Sequence, residues 1–318
     1  MEKRILGRTG FEVAVLGMGG VGAKPETVRR ALELGVNYVD TAPGYGNSEE
    51  NIGIGLEEAS QSYYIATKLG GRPKPFDAQD KDMLRRSVDE SLRLLKRDSI
   101  DILQIHEPDH PSIFDWWTDY DNFHGPVCEV LEELKEEKII KFTGLAGTSS
   151  YELTHIMATG NYDVVLAAGN YNLVRQEFAI SGLPEAKKQN MGIVIGAAFF
   201  KGLLARRNIP ELENGARWLS PPRLEQFKKL YAFVDEIGLP LAEVALRWVI
   251  SNPNVSTVLM GTGSIEEVEQ NVAAAEKGPL PAEILSRLKE IADMIPFRPH
   301  LEPHQFPIGQ PYKGPKYK

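Results

Sequence analysis

The sequence has a single cysteine, Cys128, among 318 residues. One thiol cannot form an internal disulfide, and a chain without disulfides fits a reducing compartment. No histidine or basic residue flanks Cys128, so we interpret it as a small buried apolar residue rather than as a reactive thiol. No apolar run approaches the ~20 residues of a membrane span, and the first residues lack an apolar signal core. We therefore expect a cytoplasmic protein without a membrane partner.

Positively charged residues are outnumbered by negatively charged ones. The chain has 36 Lys and Arg residues against 44 Asp and Glu, which gives a formal net charge of −8. A nucleic acid is bound through a basic face, so this balance argues against a nucleic-acid partner. We expect a small-molecule partner instead, and the composition does not indicate an oligomeric state.

What the sequence does contain is a regular alternation of apolar runs and amphipathic segments, which begins after a short β-hairpin predicted over residues 3–14. The alternation predicts eight core strands at residues 15–19, 36–40, 63–67, 100–105, 140–145, 164–168, 193–197 and 257–260. No Gly/Ser-rich linker interrupts it, which favours an α/β fold, a single (β/α)8 TIM barrel over residues 1–295. Residues 296–318, rich in Pro, Tyr and Lys, are predicted to form an extended tail that either lies across a barrel face or projects from it.

The main alternative architecture is a doubly wound sheet. Residues 17–22 are rich in glycine, and together with Asp40 they imitate a dinucleotide-binding fingerprint. No half of the chain reads as a separate nucleotide-binding domain, so the barrel remains the favoured architecture.

Two serines are predicted to begin helices. Ser48 precedes Glu49 and Glu50, carboxylates that the first turn of a helix favours. Ser264 and Glu267 have the spacing of a capping box, and the N-terminal amides of that helix also suit a phosphate.

Four reactive groups stand at or just beyond the ends of three successive predicted strands. Asp40 ends one strand and Tyr45 follows in its loop, while Lys68 and His106 end the next two. Barrel enzymes build their sites from these strand ends, so the four groups should converge. Each residue alone also has a structural explanation: a loop cap for Asp40, a surface lysine, a half-buried histidine. Their joint placement favours a functional site.

The chemistry of this set indicates proton transfer. Tyrosine has an ordinary pKa of about 10, which a neighbouring ammonium lowers by favouring the phenolate. Lys68 is expected to act on Tyr45 in this way and Asp40 to hold Lys68, while a neutral His106 hydrogen-bonds the substrate oxygen. The set holds neither a good nucleophile nor a metal site, so no metal is expected. A proton donor aimed at a carbonyl suggests that a cofactor supplies hydride.

The motif Asp40-Thr41-Ala42-x-x-Tyr45-Gly46, the strand-ending Lys68 and His106, and residues 261–264 with Asn271 resemble the aldo-keto reductase superfamily. The resemblance implies that Tyr45 is the general acid/base, that Lys68 and Asp40 tune it, and that His106 orients the substrate. It also implies a nicotinamide cofactor across the barrel mouth. The cofactor contacts expected from it are Gly20, Val21, Asp40, Gly147, Phe199, Gly261, Thr262, Gly263, Ser264, Gln270 and Asn271.

The cofactor side departs from the family pattern. Family members place Ser and Asn where this chain has Ala146 and Gly147, and a Gln at Ala168. They often place a stacking aromatic where this chain has residues 196–198, and Phe199 and Phe200 are the two candidates to substitute for it. NADPH-specific relatives often carry Arg or Lys near the position of Gly263. The absence of such a cation there favours NAD, with NADP as the other candidate.

NAD preference resembles the branch that oxidises aldoses such as L-galactose, L-fucose and D-threo-aldoses. We therefore expect a carbohydrate substrate, bound by Tyr45, His106 and the aromatic faces of Trp116 and Trp117. The alternative for the two tryptophans is a hydrophobic plug that anchors their loop. Two alternative functions remain: an NADPH-dependent reductase of small aldehydes or ketones, and a non-catalytic, cofactor-sensing regulatory subunit.

Overall fold

The computed structural model describes residues 1–57, 59–207, 209–299, 302–303 and 306–309. Two short strands, β1 (Lys3–Ile5) and β2 (Glu12–Ala14), pair antiparallel and form the predicted hairpin. Eight parallel strands follow: β3 (Leu16–Gly19), β4 (Tyr38–Asp40), β5 (Tyr64–Leu69), β6 (Ile100–His106), β7 (Ile140–Gly147), β8 (Val164–Ala168), β9 (Gly192–Gly196) and β10 (Thr257–Gly261). They close into a barrel in chain order, with β10 beside β3. The predicted (β/α)8 barrel is confirmed.

Helices surround the barrel. They are α1 (Pro25–Glu33), α2 (Ser48–Leu56), α3 (Lys81–Leu95), α4 (Pro126–Glu136), α5 (Ser150–Met157), α6 (Glu177–Ile180), α7 (Gly182–Lys188), α8 (Pro210–Asn214), α9 (Pro221–Ile237), α10 (Leu241–Ile250), α11 (Ile265–Glu276) and α12 (Ala282–Ala292). The short α6 and α8 and the last helix, α12, were not foreseen. None of the helices that the structure describes is long and apolar enough to span a membrane.

The two predicted helix starts have different outcomes. Ser264 caps α11, since its hydroxyl accepts from the Glu267 amide at 3.4 Å. Ser48 is instead the first residue of α2, and the prediction that it caps this helix is wrong. Its buried hydroxyl donates to the carbonyl of Gly20 at 2.8 Å and meets the Thr41 hydroxyl at 2.7 Å. It therefore ties together the loops that follow β3 and β4.

Residues 302–303 and 306–309, the part of the C-terminal tail beyond residue 299 that the structure describes, pack on the barrel. Glu302 and Phe306 are 5% and 1% exposed. Phe306 joins an apolar cluster with Phe200, Trp218 and Phe227 of the loop after β9 and α9. The other residues of the predicted tail, 300–301, 304–305 and 310–318, lie outside the described residues. The described part of the tail thus forms one wall of the molecule at the end of the barrel where β9 finishes.

Candidate active site

The register of the barrel places three of the four predicted residues at the carboxyl ends of neighbouring strands. Asp40 ends β4 opposite Ala66 of β5, and Lys68 of β5 lies opposite Gln104 of β6. His106 is the last residue of β6. Since neighbouring strands lie ~4.8 Å apart, side chains on this edge come into contact.

Lys68 is the centre of the cluster. Its ammonium donates to Asp40 Oδ1 at 2.5 Å and to the carbonyl of Thr41 at 2.7 Å. It also lies 5.2 Å from the centre of the Tyr45 ring. Burial opposes the positive charge, but attraction by Asp40, Tyr45 and Glu49 outweighs it and raises the pKa of Lys68. The buried lysine therefore stays protonated.

Asp40 is held from its other side by a residue that the sequence analysis missed. Gln104 is fully buried and donates from Nε2 to Asp40 Oδ2 at 2.6 Å. Because strand side chains alternate, Gln104 shares the inward face of β6 with His106, two residues on. From this two-residue spacing, Gln104 could have been predicted as a member of the site.

Tyr45 and His106 stand edge to face, with ring centres 5.8 Å apart. Burial and the charge of Lys68 lower the pKa of His106 to about 3, so the imidazole is neutral, as expected. The prediction for Tyr45 needs a correction. Burial raises its pKa above the ordinary value and outweighs the opposing attraction of Lys68. The unliganded site therefore keeps Tyr45 as a protonated phenol.

The two tryptophans do not offer ring faces to a ligand. Trp116 is 0% and Trp117 3% exposed. Their indole nitrogens donate to the carbonyls of His106 at 2.9 Å and Pro108 at 3.1 Å. This burial contradicts the stacking role and fits the hydrophobic plug. The aromatic that does reach the site is Phe114, whose ring centre lies 6.3 Å from that of His106.

A second polar cluster adjoins His106. The hydroxyl of Thr148 donates to Glu107 Oε2 at 2.9 Å and lies 2.8 Å from His110 Nε2. The carboxylate of Asp109 accepts from the Thr148 amide at 2.9 Å. Potential ligand atoms of Glu107, Asp109 and His110 lie within 4.8 Å of one another. Hydrogen bonds among these side chains account for their arrangement, and they place the Glu107 carboxylate beside the catalytic candidates.

Comparison with known proteins is consistent with this geometry. The model of the Aldo/keto reductase family matches residues 23–293. The chain belongs to the aldo/keto reductase family. It is 30% identical to L-galactose dehydrogenase of Arabidopsis thaliana, over 93% of this chain and 95% of that protein. It is 27% identical to D-threo-aldose 1-dehydrogenase of a Pseudomonas species, over 84% of this chain and 86% of that protein.

The fold similarity extends to a solved structure. An aldo-keto reductase from Bacillus halodurans, in its holo form, superposes with a TM-score of 0.78 at 28% identity. The match covers 94% of this chain and 99% of that one. The protein is therefore an oxidoreductase of the aldo/keto reductase family, whose members use nicotinamide cofactors.

The loops after β3 and β10 meet and carry six of the predicted cofactor contacts, Gly20, Val21, Gly261, Thr262, Gly263 and Ser264. A side chain at Gly261 would come within 3.1 Å of the Val21 carbonyl. Thr262 accepts from the Ser264 amide at 3.0 Å and donates to the Glu267 carboxylate. Gly20 is buried against Ser48, whereas Val21 is 61% exposed. This part of the predicted cofactor set is brought together.

Lys24 supplies a cation near Gly263, where the sequence offers none locally. Lys24, which precedes α1, packs its stem along Gly263, with Cε 3.2 Å from the position that a Cβ would take. None of the described residues forms an ion pair with its ammonium. A cation therefore stands near Gly263 after all, supplied by the neighbouring loop. The sequence analysis missed it because Lys24 is distant along the chain, and the NAD preference stays a prediction.

The remaining predicted contacts are scattered around the mouth. Gly147 ends β7 against Asp109, and Phe199 precedes a 3₁₀ turn after β9. On α11, the exposed Gln270 donates to Glu266 and Asn271 is half-buried. The chemistry of Asp40, Tyr45, Lys68 and His106 fits a nicotinamide cofactor, since these residues can move a proton but include no good nucleophile. Of the small residues at the strand ends, Ala168 lines a cavity of about 270 Å³, whereas a side chain at Gly147 would meet Asp109 and one at Gly196 would meet Leu166.

Proposed function

We propose that this aldo/keto reductase is a sugar or polyol dehydrogenase, which oxidises an aldose with NAD and accepts NADP as well. The observation that carries the proposal is the buried Asp40–Lys68 pair beside Tyr45 and a neutral His106. Similarity to two aldose dehydrogenases supports a small carbohydrate as substrate.

In the proposed reaction the chain's residues handle only the proton. The nicotinamide, when bound, accepts the hydride from the carbon that is oxidised. His106 hydrogen-bonds the substrate hydroxyl and holds it near Tyr45. Tyr45 takes the hydroxyl proton as the carbonyl forms, acting through the minor phenolate form, which Lys68 stabilises against the larger opposing effect of burial. In the reverse direction Tyr45 returns the proton to the carbonyl oxygen.

The surroundings of the site suit a polyhydroxylated substrate. Glu107 follows His106 directly, and its carboxyl accepts a hydrogen bond from Thr148 at 2.9 Å. An acceptor of this kind suits the hydroxyls of a sugar. Phe114 supplies an apolar face of the kind on which sugar rings stack. The tryptophans that follow it anchor this loop instead of touching the substrate.

Absorbance at 340 nm with NAD or NADP and a panel of aldoses, including L-galactose, L-fucose and D-threo-aldoses, tests the proposal. We expect turnover with at least one aldose, and the ratio of the rates with NAD and NADP tests the preference for NAD that was predicted from the sequence. Measurable cofactor binding without turnover of any sugar or aldehyde would reject it.

A second candidate function is supported by Lys24. Its ammonium near Gly263 suits the 2′-phosphate of NADPH, and NADPH usually drives reduction. The protein would then reduce small aldehydes or ketones. Faster turnover of such carbonyls with NADPH than of any aldose with NAD would identify this alternative.

A further inference from the structure

The loop after β9 has an unfavourable backbone conformation. Ala197, Phe200 and Lys201 all have left-handed φ angles, of +54°, +46° and +55°. Residues with a Cβ adopt this region rarely, and it persists only where the surrounding structure determines it. The loop carries Phe199, a predicted cofactor contact. Other parts of the molecule must therefore hold it in place.

One side of this loop is held by stacked cationic and aromatic groups. The guanidinium of Arg175 lies 4.7 Å from the centre of the Phe200 ring and 4.8 Å from that of Phe306. The rings of Phe200 and Phe306 are 4.8 Å apart, and Trp218 lies 4.7 Å from Phe306 on its other side. The C-terminal segment thus contacts the strained loop directly.

Arg175 is in turn positioned by a carboxylate of the same segment. Glu302 accepts from Arg175 Nε at 3.0 Å and Nη2 at 2.5 Å. It also accepts from Arg223 Nε of α9 at 2.8 Å. The three side chains are at most 5% exposed. A single buried carboxylate therefore joins the loop after β8, the long helix α9 and the C-terminal segment.

The same residues border the mouth of the barrel. Arg175, Phe200 and Phe306 line a cavity of about 270 Å³, together with Thr148, Ala168 and Ala197 at the ends of β7, β8 and β9. The hydroxyl of Thr148 donates a hydrogen bond to Glu107, which follows His106 in the sequence. The cavity therefore lies beside the predicted nicotinamide side of the site.

We propose that Glu302 is a positioning residue for the cofactor. Through Arg175 and Phe306 it holds the loop Ala197–Gly202 in the conformation that accepts the nicotinamide cofactor. This inference rests on the proposed function only in that a nicotinamide cofactor binds at this mouth. Glu302 does not touch the reacting atoms, so its loss affects cofactor binding and not the proton step at Tyr45.

The variant Glu302→Gln in the full chain tests the inference. It keeps the shape of the side chain but removes the charge that orients Arg175. If the loop then adopts the binding conformation one tenth of the time, the Kd for the cofactor rises about 10-fold. Quenching of tryptophan fluorescence gives the Kd for NAD and NADP, and steady-state kinetics give KM and kcat. We expect the KM for the cofactor to rise with Kd, and kcat at saturation to stay within about 2-fold.

The chain offers a matched control in Glu243→Gln. Glu243 is also a buried carboxylate with two cationic partners, at 2.8 Å from Arg247 and 2.6 Å from Lys277. None of these partners belongs to the loop after β9. We expect this variant to lower the Tm without changing the cofactor Kd.

Phe306→Leu provides a second test if Glu302→Gln fails to fold. It retains apolar volume but removes the ring that packs on Phe200 and Arg175, and we expect Kd to rise with kcat unchanged. The inference is overturned if the foldable variants bind cofactor as Glu243→Gln does, or if their loss lies in kcat alone. Wild-type protein that binds no cofactor would instead reject the proposed function.

Discussion

Four side chains at the mouth of the barrel fix one another's positions through buried contacts. Lys68 is bound by Asp40, Asp40 is bound by Gln104, and the ammonium faces the ring of Tyr45. Such an arrangement is preorganised, because contacts within the folded chain already orient these side chains. It also couples proton chemistry to folding, so single variants can affect both.

Tyr45→Phe separates the phenol from the fold. It removes the hydroxyl proposed to exchange the proton, and general acid–base catalysis contributes about 10²- to 10⁴-fold. We expect kcat to fall by at least this much, with cofactor Kd nearly unchanged, as measured by absorbance and fluorescence. Tyr64→Phe is the control, because Tyr64 begins β5 at the end of the strand away from Lys68, and this variant should remain active. Loss of cofactor binding in Tyr45→Phe would give that residue a structural role.

Lys68→Met tests the buried ion pair. It leaves the carboxylate of Asp40 without its cation, and breaking a buried pair costs about 3–5 kcal/mol. The double variant Asp40→Asn/Lys68→Met removes both charges and should recover much of the free energy of unfolding, measured in urea, without recovering turnover. Turnover in the double variant would contradict the proposed role of Lys68.

At the scale of elements, loops that follow neighbouring strands build the two sides of the site. The loops after β4 and β6 carry Tyr45 and Phe114, while those after β3 and β10 bring Lys24 to Gly263. The contact between Lys24 and Gly263 depends on the strand order in the barrel, because β10 pairs with β3. Residues more than 200 positions apart thereby share one site.

Lys24→Glu tests whether the loops after β3 and β10 distinguish NADP from NAD. The 2′-phosphate of NADP needs a cationic partner, which this variant replaces by a carboxylate. We expect the KM for NADP to rise about 10-fold, and that for NAD to change less than about 2-fold. Lys96→Met, which breaks a surface contact with Glu57, is the control. Parallel changes for NAD and NADP would show that Lys24 does not distinguish them.

At the scale of the whole molecule, stability and site are linked through a buried imidazole. The pKa of His106 is lowered to about 3 in the folded chain, against about 6.5 when unfolded. The unfolded chain therefore binds the proton more readily between these values. His106 contributes stability that is complete above pH 6.5 and is lost as the pH falls towards about 3.

His106→Gln should weaken this dependence. Without the titrating imidazole, the urea midpoint should decline less steeply between pH 6.5 and 3 than in the wild type. His155→Gln, which removes a histidine of α5 outside the site, is the control. Equal slopes for wild type and His106→Gln would mean that His106 is not buried as a neutral group.

The barrel and the catalytic candidates could be predicted because their signals are local. Apolar runs mark the strands, and Asp40, Lys68 and His106 stand at strand ends, so parallel pairing alone brings them together. Gln104 could have been predicted in the same way, because it lies two residues before His106 and so shares the inward face of β6. Phe114 was overlooked because the adjacent tryptophans are larger, and only their burial shows that they face inward.

The sequence by itself determined the barrel and the four residues of the proposed proton-transfer site, because strand periodicity and strand ends are properties of short segments. The family followed from the resemblance of the motif set around Tyr45 and from the comparisons. Tertiary structure decided the rest. Burial reversed the expected pKa shift of Tyr45, and barrel closure brought Lys24 to Gly263. The packing of Glu302 and Phe306 decided between the two courses predicted for the tail, because these residues lie against the barrel mouth and do not project from it. These outcomes depend on contacts between distant segments, which no local pattern encodes.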